Sequence, residues 1–248
     1  MKYVLVALVS LFLGAGGMFL ILQRKPEMAE PKNESPELAT MKETVQRRLS
    51  EMSDDISNRL KMFSQEVASD QLFSLRLLVE NNPSAPEVTN KAVQFLKPMG
   101  FSLLDVADSG YTLLSCGQFP ASVGTSVEEK GVQLSETPVI IPDKVMGKDV
   151  LSFQAKYPFR IAESLRFFAI GGIIIDEAWL RKLAPREGVT ILLKKGASVM
   201  GMEDVRTISE VKDGNVLIND KEYQAAEIPL PWIGGGDAPS LIAILNPK

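Results

Sequence analysis

The sequence predicts an α+β protein in which helices come first and a central antiparallel sheet follows. Two observations carry this prediction. Apolar residues recur with helical spacing along a long stretch in the first third of the chain. The rest of the chain alternates short apolar segments with turn residues, which is the pattern of strands joined by hairpins. An uncharged apolar segment at the N-terminus adds a predicted transmembrane helix.

The N-terminal segment Tyr3–Leu22 contains no charged residue, and as a helix it would span about 30 Å, the thickness of the hydrocarbon core. Gln23, Arg24 and Lys25 follow it directly, without the small-residue pattern of a signal-peptidase site. We therefore predict an uncleaved transmembrane anchor over residues 1–25, with a cleaved signal peptide as the alternative. Positive charges flank both ends of the segment, so charge alone does not predict its orientation.

A polar linker, rich in proline and charged residues, is predicted over residues 26–37, and a long amphipathic helix over residues 38–82. The apolar positions of this helix repeat every eleven residues, which corresponds to about 3.67 residues per turn. They are Leu38, Met41, Val45, Leu49, Met52, Ile56, Leu60, Phe63 and Val67. Such a stripe packs either against the chain's own domain or against a second copy in a parallel homodimer, and both interpretations stay open. The predicted dimer interface consists of Val45, Leu49, Met52, Ile56, Leu60 and Phe63.

Residues 83–248 form the predicted globular domain. A helix with Pro86 in its first turn precedes a strand at Phe101–Ala107, which turns at "DSG" into a second strand at Tyr111–Ser115. A long loop-rich stretch follows, with a short strand at Val139–Ile141. The later strand signals are Asp149–Phe159, Ser164–Ile175 and the segments "EGVTILLKKG", "NVLIND", "KEYQAAEIPL" and "SLIAILN".

The apolar run Phe167–Ile175 has nine residues, too few for a membrane-spanning helix, which needs about 20. It contains Gly171 and Gly172, which in a strand mark a bulge or a close approach of another backbone. We therefore predict a central strand that is buried on both faces. Asp176 follows at the position of a cap for the helix "EAWLRKLA".

The composition excludes several classes of function. A net charge of −4 without a basic patch argues against a nucleic-acid partner. The absence of histidine excludes Ser-His-Asp and Cys-His catalysis, and the single cysteine, Cys116, excludes an intramolecular disulfide and a Cys/His metal cluster. We therefore predict no enzyme activity, no cofactor and no metal site. Cys116 itself is interpreted as a small apolar side chain, with a redox role as the alternative.

The order of these elements resembles the extracytoplasmic PAS-like or Cache sensor regions of bacterial membrane-bound histidine kinases. The segments "LLDVADSGYTLLSC" and "AIGGIIIDEAWLRKL" carry the resemblance, as a strand–turn–strand and as a strand that leads into a helix. The resemblance implies a PAS-like or Cache sensor domain over residues 83–248, placed outside the cytoplasm on a single-pass anchor in the inner membrane. It also implies a place in a two-component system, whose kinase module would lie in a further C-terminal part or in a partner.

In the resembled domains, a small ligand binds on the sheet beneath the long loop. Here this implies a site between Cys116 and Lys148, above the strands Asp149–Phe159 and Ser164–Ile175. The candidate ligand-binding residues are Tyr111, Phe153, Lys156, Tyr157, Arg160 and Arg166. The cations among them could hold a carboxylate through charge-assisted hydrogen bonds. An empty pocket on a domain that serves as a platform for a protein partner is the other interpretation.

The predicted function is that of a sensor, which detects a small molecule or a periplasmic partner and relays the signal through the long helix. The alternative is a membrane-anchored structural or assembly protein that acts through the long helix. The expected partners are the membrane, a second copy of the chain, and an unknown small ligand or protein.

Overall fold

A long helix lies across two five-stranded antiparallel sheets in the computed structural model, which describes residues 35–162, 165–202, 205 and 207–246. The predicted anchor over residues 1–25 lies outside these ranges, as does most of the predicted linker. Within the described ranges, no helix combines the length and the apolar character that a membrane span requires.

Helix α1, Pro36–Ser69, begins where the sequence provides good capping residues. The Ser35 hydroxyl accepts a hydrogen bond from the backbone N–H of Leu38 at 3.3 Å, and proline and glutamate occupy the first turn. The helix ends at Asp70, whose backbone is extended. The predicted helix over residues 38–82 is thus interrupted, and continues as α2, Gln71–Ser74, and a π-helical turn, Leu75–Val79.

Asp70 stabilises this interruption. Its carboxylate accepts hydrogen bonds from the backbone N–H groups of Leu72 at 2.8 Å and Phe73 at 3.0 Å, and it pairs with the buried ammonium group of Lys91. Burial alone would raise the pKa of Asp70, but the hydrogen bond from Lys91 and those from the backbone outweigh it and lower that pKa. The Asp70 carboxylate therefore stabilises the end of α1 by accepting hydrogen bonds from three donors, two backbone N–H groups and one ammonium group.

The first sheet follows two short helices, α3 at Pro86–Thr89 and α4 at Lys91–Leu96. A further short helix, α5, lies between its second and third strands, at Glu128–Gln133. The strands are β1 Leu103–Ala107, β2 Leu113–Cys116, β3 Val139–Val145, β4 Lys148–Ile161 and β5 Leu165–Ile174. Their order is β2-β1-β5-β4-β3, and all neighbours are antiparallel. The strand with the glycine pair, β5, is central, as predicted.

The second sheet begins after helix α6, Glu177–Leu183, which the Asp176 carboxylate caps by accepting a 2.8 Å hydrogen bond from the backbone N–H of Trp179. Its strands are β6 Val189–Lys195, β7 Ser198–Met200, β8 Asn215–Ile218, β9 Lys221–Pro229 and β10 Ser240–Leu245. Their order is β7-β6-β10-β9-β8. Counted from its own first strand, each sheet therefore has the order 2-1-5-4-3. The expectation of one central sheet is wrong, because the alternation of residues locates strands along the chain without identifying their partners.

The apolar stripe of α1 is packed inside the same chain. It contacts β4 and β5 of the first sheet and β9 and β10 of the second. Its buried members are Leu38, Met41, Val45, Ile56, Leu60, Phe63 and Val67, while Leu49 and Met52 are partly buried. Packing against the chain's own domain therefore accounts for the repeat. A homodimer contact through Val45, Leu49, Met52, Ile56, Leu60 and Phe63 would require these side chains to leave the core. Dimerisation itself stays a prediction.

The connection between β9 and β10 links the two sheets. Residues 231–235, which we call the strap, run beside the edge strand β3. The N–H of Ile140 donates to the carbonyl of Pro231 at 2.7 Å, and the N–H of Ile233 donates to the carbonyl of Ile140 at 2.9 Å. The ring of Trp232 packs beneath the Lys195 ammonium group, which lies 4.3 Å from its centre. The strap thus connects two strands of the second sheet and pairs with the edge strand of the first.

Candidate ligand-binding site

The two faces of the first sheet are covered differently. Along β4, Phe153 and Ala155 point into the core that α1 completes, whereas Ser152, Gln154 and Lys156 point toward α5 and β3. One face is therefore apolar and filled by the helix, while the other holds polar groups in a buried setting. Burying polar groups costs free energy unless they are hydrogen-bonded, so this second face is the candidate functional site.

Five buried or partly buried polar side chains lie together on this face, and we call them the polar cluster: Asp105, Lys130, Asp143, Ser152 and Gln154. The Lys130 ammonium group lies 3.1 Å from the carboxylate of Asp143 and 3.9 Å from that of Asp105. Asp105, almost fully buried, also accepts a 2.9 Å hydrogen bond from the side-chain amide of Gln118. Two carboxylates thus share one ammonium group, and the cluster carries a net negative charge when both are ionised.

Gln154 connects the members of the cluster. Its side chain has no exposed surface, and its Nε2 donates to Asp143 Oδ2 and to Ser152 Oγ, both at 2.6 Å. Its Oε1 accepts no hydrogen bond from any described residue. Gly172 lies opposite on β5, where a Cβ atom would come within 2.8 Å of Gln154 Cγ, so the glycine leaves space for this side chain. A buried acceptor without a donor is costly, and an N–H or O–H group brought by a ligand would satisfy it.

An aromatic stack holds α5 on the sheet. Tyr111 lies on Phe168 of β5 with ring centres 4.8 Å apart. Lys156 donates hydrogen bonds to the Tyr111 hydroxyl at 2.8 Å and to the carbonyl of Gly131 at 2.6 Å. Gly131 approaches the tyrosine ring so closely that a Cβ atom there would lie 2.3 Å from a ring carbon. The glycine in α5 is therefore required for this contact.

A cleft of about 990 Å³ opens beside the polar cluster, between α5, β3 and the strap. Lys130 and Asp143 of the cluster form part of its lining. The apolar part of the lining includes Val127, Ile141 and, from the strap, Ile233. Its volume lies at the upper end of the roughly 300–1,000 Å³ that small-molecule sites usually have. The combination of apolar walls and a few convergent polar groups is typical of a ligand site.

Two ionisable groups at the base of the site have perturbed pKa values. Burial raises the pKa of the Asp105 carboxyl, and the charge of Lys130 offsets part of this effect. Burial, followed by the negative charge of Asp105, raises the pKa of the Cys116 thiol to about 12. The thiol is therefore protonated at neutral pH, which makes it a poor nucleophile and a poor metal ligand.

We expect Asp105→Asn to stabilise the protein at pH 7. Because the pKa of Asp105 is higher in the folded than in the unfolded state, the folded state retains this proton more strongly, and stability falls as the pH rises above the unfolded value of about 4. The asparagine variant avoids this loss. The unfolding temperature of the variant should therefore exceed that of the original protein at pH 7, and the difference should shrink as the pH falls toward 4. Asp149→Asn, at an exposed position, is the control and should leave the pH dependence unchanged. An equal gain at both pH values would contradict the prediction.

The structure brings together only some of the predicted ligand-binding residues. Tyr111 and Lys156 meet at the stack above the sheet. Phe153 and Tyr157 face the core on the α1 side, so they cannot line the same cleft. Arg160 and Arg166 are exposed and lie opposite each other across β4 and β5. The members of the polar cluster were not among the predicted residues. A signal for two of them exists in β4, where Ser152 and Gln154 alternate with Phe153 and Ala155 inside a strongly apolar region.

The comparisons with known proteins identify the fold. No protein-family model matches the sequence, and no curated protein matches it. The sensory domain of the Campylobacter jejuni chemoreceptor Tlp3, solved with isoleucine bound, matches with a TM-score of 0.53 at 9% identity over 85% of this chain and 91% of that domain. The periplasmic domain of Vibrio cholerae LuxQ matches with a TM-score of 0.51 at 11% identity over 84% of this chain and 97% of that domain. The predicted resemblance is therefore confirmed at the level of the fold, which this chain shares with the sensory domain of Tlp3 and the periplasmic domain of LuxQ.

Proposed function

We propose that the chain is a membrane-anchored extracytoplasmic sensor domain of a bacterial signal-transduction protein of the histidine-kinase type, which detects a small molecule or a periplasmic partner. The observation that carries the proposal is the polar cluster beneath the cleft, with the unsatisfied Oε1 of Gln154. A protein that used this fold only as a scaffold would gain stability from an apolar group at that position. The similar sensory domain of Tlp3, solved with isoleucine bound, supports a small-molecule ligand.

The long helix provides a route for the signal. α1 packs on β4, which contributes Gln154 to the polar cluster from one face and Phe153 to the α1 core from the other. A ligand that shifts β4 therefore acts on α1 through a closely packed contact. In our proposal, α1 follows the anchor at residues 1–25 and carries the change to the membrane and onward to the kinase module.

A structural or assembly role is the second candidate function. Leu72, Leu75 and Val79 are exposed at helical spacing along α2 and the π-helical turn. Apolar side chains in such a row can bind another protein, since removing them from water is favourable. In that role the protein would act through its helical part and would need no small ligand.

A ligand screen on the full chain separates these candidates. We expect at least one small molecule to raise the thermal unfolding temperature, because a ligand at about 100 times its Kd stabilises the folded state by about 2.7 kcal/mol. Gln154→Leu keeps the side-chain volume but removes the amide, so it should abolish this response. Met62→Ala, at an exposed position of α1, should retain it. A full response in Gln154→Leu would show that the ligand binds outside the polar cluster. The absence of any stabilising molecule would contradict small-molecule sensing, and would leave a periplasmic partner or the assembly role.

A further inference from the structure

We propose that the cleft binds a small organic cation, and that the protonated amine of this ligand replaces the Lys130 ammonium group between Asp105 and Asp143. This inference rests on the proposed sensing function and adds the charge class of the ligand. A cationic ligand differs from the carboxylate that the basic residues among the sequence-predicted candidates would hold.

The first observation is the charge of the cleft. Its lining includes four carboxylates and two ammonium groups, which leaves it with a net charge of −2, and Asp105 lies buried directly behind it. The acidic residues are Glu128, Glu129, Asp143 and Asp149, and the basic residues are Lys130 and Lys144. Within the described ranges, no ion pair involves Glu128 or Glu129. A cation is therefore attracted into this cleft, whereas a carboxylate would meet charges of its own sign.

The second observation is a shortage of hydrogen-bond donors. The Oε1 atom of the fully buried Gln154 has no donor among the described residues. Lys130 reaches Asp143 at 3.1 Å but is 3.9 Å from Asp105, which is too long for a hydrogen bond. An ammonium group brings three donors and no acceptor, whereas a carboxylate brings only acceptors. Asp105 has the Gln118 amide and the Cys116 thiol as donors, so the unsatisfied acceptor is Gln154 Oε1. This requirement matches an amine and not a carboxylate.

The third observation is that Lys130 is the member of the cluster most able to leave. It lies on α5, which has only six residues. Its flexible side chain reaches solvent through the cleft, with 18% of its surface exposed, whereas that of Asp105 is 2% exposed. Lys156, the nearby cation that was expected to hold a carboxylate, is already bound to Tyr111 and to the Gly131 carbonyl. Lys130 therefore acts as an internal substitute for the ligand's amine.

An organic amine fits better than a metal ion. Hard cations such as Ca²⁺ take six to eight oxygen ligands. No group of three or more acidic or cysteine side chains within metal-binding distance of one another is present in the part of the chain that the structure describes. The two carboxylates of the polar cluster instead suit the compact charge of an ammonium group, and the apolar walls formed by Val127, Ile141 and Ile233 suit a carbon chain.

The test is isothermal titration of the full chain with four probes of equal carbon-chain length: butylamine, 1,4-diaminobutane, butyrate and succinate. We expect the amines to bind and the two carboxylates not to bind. Lys130→Met removes the competing ammonium group, and the amine Kd should fall by about tenfold because the free site is then fully populated. Asp143→Asn should raise the Kd by about tenfold or more, since it removes the carboxylate that Lys130 contacts and that would receive the amine.

Lys144→Met is the matched control, because it removes the same charge from the exposed rim without touching the polar cluster. Its amine Kd should change less than about threefold, the scale of a screened surface charge. An equal gain in amine affinity in Lys144→Met and Lys130→Met would show that only the net charge of the cleft affects binding. That result would overturn the replacement of Lys130. Binding of a carboxylate that Lys130→Met abolishes would overturn the charge class but leave the sensor proposal intact. Binding of none of the probes would overturn this inference, while the broader ligand screen would still decide the sensor proposal.

Discussion

Gly172→Ala is expected to lower the free energy of unfolding by about 3 kcal/mol, whereas Gly171→Ala should change it by no more than about 1 kcal/mol. Both glycines lie in the central strand β5, and they differ in what a methyl group would meet. At Gly172 a Cβ atom would lie 2.2 Å from the carbonyl oxygen of Phe153 and 2.8 Å from the Cα atom of Gln154, both in the backbone of β4. Strand β4 would have to move away from β5 to make space.

The neighbouring glycine is a control from the same strand. The atoms nearest to a Cβ at Gly171 are the ends of the Leu60 and Leu104 side chains, at 2.9 and 3.1 Å, which can rotate. The nearest backbone atom, Leu103 O, is 3.3 Å away, much farther than the 2.2 Å at Gly172. Chemical denaturation followed by circular dichroism measures both variants. For a domain of this size, about 3 kcal/mol corresponds to a fall of roughly 6–12 °C in the unfolding temperature. Equal losses in the two variants would show that the clash with the β4 backbone is not the cause.

Gly172→Ala should also weaken ligand binding. The added methyl group would come within 2.8 Å of Gln154 Cγ, so it displaces the amide that connects Asp143 and Ser152. Stability and binding are therefore coupled at this position. Gly171→Ala faces the opposite side of the sheet and should leave binding unchanged.

Phe63→Ala is expected to destabilise the protein by about 3–5 kcal/mol, the usual cost of removing a buried aromatic ring. Phe63 has no exposed surface and lies in the core between α1 and the first sheet, with its ring centre 5.6 Å from that of Phe95 in α4. The cavity would lie beneath the helix that joins the two sheets. The unfolding temperature should therefore fall by roughly 6–20 °C.

Met62→Ala provides the comparison on the same turn of α1. Its side chain is 60% exposed, so its loss should cost less than about 0.5 kcal/mol. This pair of variants also tests the direction in which the eleven-residue repeat faces. A large loss in Met62→Ala, with a small one in Phe63→Ala, would mean that the apolar stripe of α1 is not packed on the sheets.

Much of the local structure follows from patterns in the sequence. The cap at Asp176 and the central position of β5 were predicted because short-range rules govern them: a carboxylate that accepts backbone N–H groups, and glycines that permit close strand contact. The division into two sheets was not predicted, since the pairing of strands depends on contacts between distant residues. The short helix α5 was also missed, because six residues within a polar stretch give too few positions for a helical pattern.

The candidate site shows the same limit. Lys156 and Tyr111 were among the candidates that the family resemblance implied, and their side chains contact each other. Their role in ligand binding stays a prediction. Asp105, Lys130 and Asp143 were not predicted, because they come from β1, α5 and β3 and only the folded sheet brings them together. Single acidic or basic residues in a sequence are most often solvated, whereas in the fold Asp105 is buried and Lys130 and Asp143 are partly buried beside it.

The strap has a consequence for how the protein can be divided. One wall of the cleft, with Ile233 and Gly234, is formed by a connection that begins and ends in the second sheet, although the polar groups of the site belong to the first. The repeated strand order gives the appearance of two interchangeable modules. A fragment that ended at α6 would nevertheless keep every charged member of the polar cluster and lose a side of its cleft. The smallest fragment that keeps the whole cleft therefore contains α1 and both sheets. A chimera that exchanged only α1 and the first sheet would carry an incomplete site.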